Sequence, residues 1–219
     1  MNHTVNTLRT LAGAAAAAAL CVPALAPVPG FSAPAYAQSQ DSLGQVVEAL
    51  RGISTLKADF TQTDRSGQTV SGELTLKRPG RIRFQYQKGV PMLIVGDGKS
   101  LTLIDYEVRQ VQRWPISNSP LGALLDPRRD VAKFGTIKPT GNPDVVSVEV
   151  RDRSHPEYGV ITLIFLRKAS APGGLELSHW VTLDSQNKRT TVKLSNQRYG
   201  MPVSDAEFRW TDPRPRTRR

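Results

Sequence analysis

Residue types able to do chemistry are thinly spread along this chain. His155 precedes Pro156 in an Arg-Asp-Arg-Ser-His-Pro-Glu loop, and His179 sits beside Trp180 in a strand-like run. Neither has metal-ligand spacing or a carboxylate to orient it, so both read as surface or packing residues. The chain contains no Gly-x-Ser-x-Gly elbow, His-Glu-x-x-His pair, phosphate loop or Gly-x-Gly-x-x-Gly motif. Gly96-Asp97-Gly98-Lys99 falls between two strand patterns and reads as a hairpin turn. Carboxylate pairs of the glycosidase kind exist at Asp105/Glu107 and Glu149/Asp152, but their spacing selects no reaction, and polar positions in strands read as a solvated face. These residues predict a protein that is not an enzyme, with no catalytic residue, cofactor or metal, unless a site is assembled from distant loops.

Charge offers a second kind of chemistry. Lys and Arg total 29 against 19 Asp and Glu, a surplus of ten positive charges. Arg78, Arg81, Arg83 and Lys88 surround one predicted hairpin, and Arg214, Arg216, Arg218 and Arg219 make the end basic. A nucleic-acid surface would look like this. The leader argues against it.

Residues 1–37 hold one basic residue outside histidine, Arg9, no acidic residue, and an apolar run from Leu11 to Leu25. Ala35-Tyr36-Ala37 supplies the small residues of a signal-peptidase site, which predicts export and a mature start at Gln38. The run is short for a membrane-spanning helix, which needs about 20 apolar residues. Cys21 follows Ala18-Ala19-Leu20, a poor setting for lipid attachment, so the mature chain is expected to be free of cysteine, disulfides and thiolate sites. Outside the cytoplasm the polyanions at hand are lipid headgroups, acidic proteins and lipopolysaccharide phosphates. The basic surface is then either a contact for an anionic membrane or simply solvated; no nucleic-acid partner is expected.

The elements expected to position these residues are mostly strands. Asp41-Ser42 can cap a helix whose apolar face is Leu43, Val46, Val47, Leu50 and Ile53. From Leu56 the period changes to two, through Leu56, Ala58, Phe60, then Val70, Gly72, Leu74, Leu76, then Ile82, Phe84, Tyr86, then Leu101 and Leu103. Gly- and Pro-rich turns between them predict an antiparallel meander. The pattern turns helical or irregular over 114–140, where Ser119-Pro120-Leu121-Gly122-Ala123-Leu124-Leu125 predicts a short apolar helix stopped by Asp126-Pro127. Strands resume over 146–150, 160–166, 175–183, 190–194 and 206–210, giving about eleven in all. Residues 38–211 make one domain, and 212–219 form a basic, disordered tail. A large sheet with one apolar face and only short helices to cover it either keeps a ligand cavity on the concave side or is filled completely by those helices.

Several segments together resemble the periplasmic outer-membrane lipoprotein carrier family, LolA. They are Phe60-Thr61-Gln62, the run from Gly72 through Arg78-Pro79-Gly80-Arg81-Ile82-Arg83-Phe84-Gln85-Tyr86, Asp97-Gly98-Lys99, and Ser119-Pro120-Leu121, in this order after a cleavable leader. The resemblance implies a mainly β fold, a strongly curved antiparallel half-barrel whose concave face is covered by short helices. It implies a monomeric periplasmic chaperone that takes acylated lipoproteins from an inner-membrane ABC transporter to an outer-membrane acceptor. It also implies an acyl-chain cavity lined by Phe60, Leu74, Leu76, Ile82, Phe84, Tyr86, Leu93, Val95 and Leu103, with Leu121, Leu124 and Leu125 beneath the lid. Ile82 stands where other members carry an aromatic. Arg78, matching the Arg that precedes Pro in the family, is implied to hold the lid shut by bonding carbonyls of the covering helices. Alternatives on the same architecture are a lipid-sensing module, a lipoprotein acceptor or a general periplasmic lipid binder.

Overall fold

The computed structural model describes residues 35–119, 121–126 and 131–215, with residues 35–41 by backbone alone. These fall in one compact unit, Ala33–Arg219. Most of the expected leader, the Pro120 cap position, the Pro127 stop and the last four residues of the tail lie outside the described residues.

A helix, α1 (Ala35–Gly52), leads into β1 (Thr55–Thr63), β2 (Thr69–Lys77), β3 (Arg81–Tyr86), β4 (Met92–Asp97), β5 (Ser100–Asp105) and β6 (Gln110–Pro115). Each strand pairs antiparallel with the next. The chain then passes through α2 (Gly122–Leu125) and α3 (Val131–Phe134) to β7 (Gly135–Lys138), β8 (Val145–Val150), β9 (Val160–Arg167), β10 (Leu175–Leu183) and β11 (Arg189–Tyr199). β11 closes back on β1, giving one 11-stranded sheet in the order β6-β5-β4-β3-β2-β1-β11-β10-β9-β8-β7. The expected curved antiparallel sheet is the architecture found, with β6 and β7 as its edges.

That order has a consequence for what covers the sheet. Consecutive strands are neighbours everywhere except at β6 and β7, which lie at opposite edges. Residues 116–134 therefore carry the chain from one edge to the other, and their Ile116, Ala123, Leu124, Leu125 and Val131 are buried in the same apolar cluster as the sheet. The crossover is the cover. Bulges bend the sheet beneath it. Between Lys57/Arg198 and Asp59/Ser195 one β1 residue faces two of β11. There Asn196 takes φ 51° and donates its amide to Asp59 Oδ2 at 2.6 Å. A second slip falls between Leu177 and His179 of β10.

The inner face collects the alternating apolar residues. Phe60 from β1, Leu74 and Leu76 from β2, and Ile82, Phe84 and Tyr86 from β3 join Val148 from β8, Leu163 and Phe165 from β9, and Trp180 from β10. α1 lies on this cluster through Val46, Val47, Ala49, Leu50 and Ile53, the face its spacing predicts. The helix begins at Ala35, upstream of the Asp41-Ser42 cap read from sequence.

The outer face of β3–β5 holds a second, smaller cluster of Leu93, Val95 and Ile104 with Val203 and Phe208. The segment after β11 covers it. A strand was expected over 206–210; instead Asp205–Phe208 forms a 3-10 turn closed by a reciprocal Ser204/Glu207 capping box. Arg83 Nη1 donates to the carbonyls of Glu207 at 3.2 Å and Arg209 at 3.0 Å, satisfying groups a strand ladder would otherwise have used.

Candidate functional site

The two covering elements meet the sheet at one side chain. Arg78 opens the β2–β3 turn, and its Nε and Nη2 donate to Leu50 O of α1 at 3.2 and 2.6 Å. Nη2 also donates to Leu124 O at 3.0 Å, and Nη1 to Leu125 O at 2.6 Å. All three acceptors are carbonyls at the C-terminal ends of helices, where backbone acceptors run short of partners; Leu50 O otherwise accepts only a long bond from the Ile53 N–H, at 3.4 Å. A guanidinium suits them because its donors are fixed in one planar fork. Burial pulls the Arg78 pKa down to about 10, a shift opposed by Asp126 and reinforced by Arg51.

Beneath this clamp the apolar face is continuous. Phe60, Leu74, Leu76, Ile82, Phe84 and Tyr86 are each at most 5% exposed. Leu124 and Leu125 are packed into the same cluster from the other side, with Leu121 half-buried against it. Tyr86 keeps a polar handle, its hydroxyl donating to Gln62 Oε1 at 2.9 Å, and burial pushes its pKa up to about 12. Leu103 is half-buried and shares this side, being paired with Ile94.

Leu93 and Val95 do not belong here. Phe84 pairs with Ile94 and Ile82 with Gly96, so the even-numbered residues of β4 face inward and Leu93 and Val95 face outward onto Val203 and Phe208. The uninterrupted run Met92-Leu93-Ile94-Val95 hides this parity, and sequence reasoning took the wrong pair. The pattern also fails to single out Met92, Ile94 and Leu101 on the near side and Val148, Leu163 and Phe165 on the far side; Trp180, readable from sequence as lining or core, belongs to the same cluster. The alternation of Val146, Val148 and Val150 marks such a face, but only the sheet order brings it opposite Phe84.

The arginines that cluster in sequence are dispersed in space. Arg78 serves the inner cover, Arg81 pairs with Asp205, and Arg83 holds the outer segment. Lys77 joins Arg81 on Asp205 at 2.7 Å, and Lys57 pairs with Glu207 at 2.8 Å.

The polar residues weighed for catalysis have local structural partners. Asp105 accepts the backbone N–H groups of Glu107 and Val108 at 3.0 and 3.2 Å. Glu149 pairs with Lys138 at 3.2 Å, and Asp152 accepts the Ser154 N–H at 2.9 Å. His155, read from sequence as lacking a carboxylate, has Glu157 two residues on at 3.0 Å and stacks on Tyr158, while His179 lies on β10, its pKa lowered by burial and by Lys193. Asp97 accepts the N–H groups of Lys99 and Ser100, as the hairpin reading requires. Among the described residues no three His, Cys, Asp or Glu converge on a metal position, and no helix is long and apolar enough to cross a membrane.

Known proteins resemble this arrangement in sequence and in fold. An outer-membrane lipoprotein carrier protein from Chromobacterium violaceum is 40% identical over 197 residues, covering 84% of this chain and 89% of the relative. Another of that name from Dechloromonas aromatica is 29% identical over 182 residues, covering 78% and 84%. The crystal structure of a DUF1329 family protein from Desulfovibrio piger matches with a TM-score of 0.50 at 11% identity, covering 78% of this chain and 97% of that one, a likeness of fold alone. Residues 51–211, the whole sheet with Arg78 and the crossover that includes α2, match the family described as outer membrane lipoprotein carrier protein LolA, and to that family this chain belongs.

Proposed function

We propose that the protein is a periplasmic carrier that takes the acyl chains of lipoproteins onto its apolar inner face and moves them from the inner to the outer membrane. The observation that carries this reading is the Arg78 clamp, which fastens both covering elements over one continuous apolar surface. Residues 1–37 would direct export and be removed, leaving a monomeric carrier domain. An inner-membrane ABC transporter would load it and an outer-membrane acceptor would unload it. The reading assigns no catalytic step and no cofactor.

The physics makes such a carrier necessary. Each lipid methylene exposed to water costs about 0.8 kcal/mol, so a free acylated protein leaves a bilayer too slowly to cross an aqueous space. Here the inner face is occupied by the undersides of α1 and α2, which must move if chains are to enter. Hydrogen bonds to a charged group each contribute about 1.5–3 kcal/mol. Burying the guanidinium costs several kcal/mol in return. A clamp so close to balance holds when the face is empty and yields when acyl chains replace the covering leucines.

Native mass spectrometry of protein purified from the periplasm tests this. Co-purified acylated protein is the expected result; free lipid in its place would make the protein a general lipid shuttle.

A further inference from the structure

Arg78 borders a cleft of about 490 Å³ between the ends of α1 and α2 and the turns at Pro79-Gly80 and Gly98-Lys99. Three cations line it, Arg51, Arg78 and Lys99, against a single carboxylate, Asp126. Arg51 pairs with Glu48 at 2.7 Å, but those side chains are 37% and 67% exposed, so water screens the pair and leaves most of the positive field standing. Ile116 and Leu125 give the cleft an apolar border.

With the cover seated, the Arg78 donors are spent on the carbonyls of Leu50, Leu124 and Leu125. Lifting α2 strips the Leu124 and Leu125 carbonyls away and leaves a half-buried guanidinium beside two further cations, Arg51 and Lys99. That state is unfavourable unless an anion takes the place of the carbonyls. A phosphate is the better acceptor, since it is charged and matches the guanidinium fork with two oxygens. Whatever binds the open state more tightly than the closed one opens the cover, and opening improves its binding in return.

We propose that this cleft is a phosphate site whose occupancy releases the cover. The inference rests on the carrier reading in so far as opening admits acyl chains. The apolar border fits a phosphate borne on lipid, which would confine opening to a membrane surface; inorganic phosphate is the minimal probe of the same chemistry.

Hydrogen–deuterium exchange of residues 121–126 in the full chain tests it, with inorganic phosphate, with chloride at equal ionic strength, and with phosphatidylglycerol or phosphatidylcholine vesicles. Replacing the carbonyls by a charged acceptor is expected to raise exchange about tenfold with phosphate or phosphatidylglycerol, and not with chloride or phosphatidylcholine. The double variant Arg51→Gln/Lys99→Gln, both exposed positions, should lose the response. A response to free phosphate assigns the site to soluble anions, and one confined to phosphatidylglycerol assigns it to a headgroup. No response to either, or one that persists in the double variant, overturns the proposal. Binding of an acylated peptide without phosphate is measured in parallel: if it is intact while exchange stays flat, only the phosphate site fails, and if it is absent the carrier reading fails.

Discussion

Gly72 faces Phe60 directly across the β1–β2 ladder, and a Cβ at position 72 would lie 2.8 Å from Phe60 Cε1 and 2.1 Å from the Gln85 carbonyl oxygen. The bare glycine lets the Phe60 ring lie over β2 and meet Phe84 and Tyr86 edge-on, with centroids 5.3 and 5.2 Å away. Phe84 continues the contact to Trp180 at 6.2 Å, joining the two halves of the inner face. Gly72→Ala must push backbone as well as a ring. A loss of about 1–3 kcal/mol is expected, seen as a fall of several degrees in Tm by circular dichroism; an unchanged Tm would show that the ladder can shift.

Arg78→Leu removes the clamp while keeping an apolar side chain in its place. If the protein works as proposed, re-forming the clamp on closure expels cargo, so its loss favours the loaded state. The variant should bind an acylated peptide yet hand it to an acceptor about tenfold less well, the equivalent of one lost charge-assisted bond. Transfer assays between vesicle-bound donor and acceptor measure this, and wild-type hand-over would remove Arg78 from the release step.

How much of this is legible without coordinates depends on the strand. In β1, β2 and β3 polar residues separate Phe60, Leu74, Leu76, Ile82, Phe84 and Tyr86, so the period fixes the face. In β4 four apolar residues run together, and only the pairing of Phe84 with Ile94 tells which of them look inward. Residues 206–210 alternate like a strand but end as a capped turn, because the Ser204/Glu207 box closes the turn locally and Arg83 supplies partners from far away in sequence. The β7 strand, only Gly135–Lys138, is too short to stand out from the irregular stretch around it. The Arg78 bonds join residues up to 47 positions apart, so the sequence alone shows no trace of them; the resemblance to a family supplied that role.

Acid should loosen the outer segment before the core. Hydrogen bonds from Lys77 and then Arg81 hold the Asp205 pKa down at about 2, below its ordinary 3.8. A carboxylate with a depressed folded pKa stabilises above its unfolded pKa, and that contribution is lost as pH falls through the folded value. Hydrogen exchange over 201–210 should therefore rise as pH falls from 4 to 2, and Asp205→Asn should exchange faster at neutral pH and keep only a smaller acid step, that of Glu207, whose pKa is lowered by Lys57. An acid step of undiminished size in the variant would place the titration elsewhere.

The basic tail offers a test of membrane contact. Arg214, Arg216, Arg218 and Arg219 each add about 1 kcal/mol near an anionic surface. Deleting residues 212–219 should weaken binding to phosphatidylglycerol vesicles, and salt should weaken binding of the intact chain. Binding that is unchanged by the deletion and insensitive to salt would take the tail out of the account.

The central claim is that acyl chains occupy the inner face and not the outer one, and photo-crosslinking reads this directly. A photoreactive amino acid at Phe84, on the inner face, or at Val95, on the outer face, is exposed to an acylated lipoprotein peptide and irradiated. The account predicts a crosslink to the acyl chain from position 84 and none from position 95. Crosslinking from 95 alone, or from neither, would contradict it.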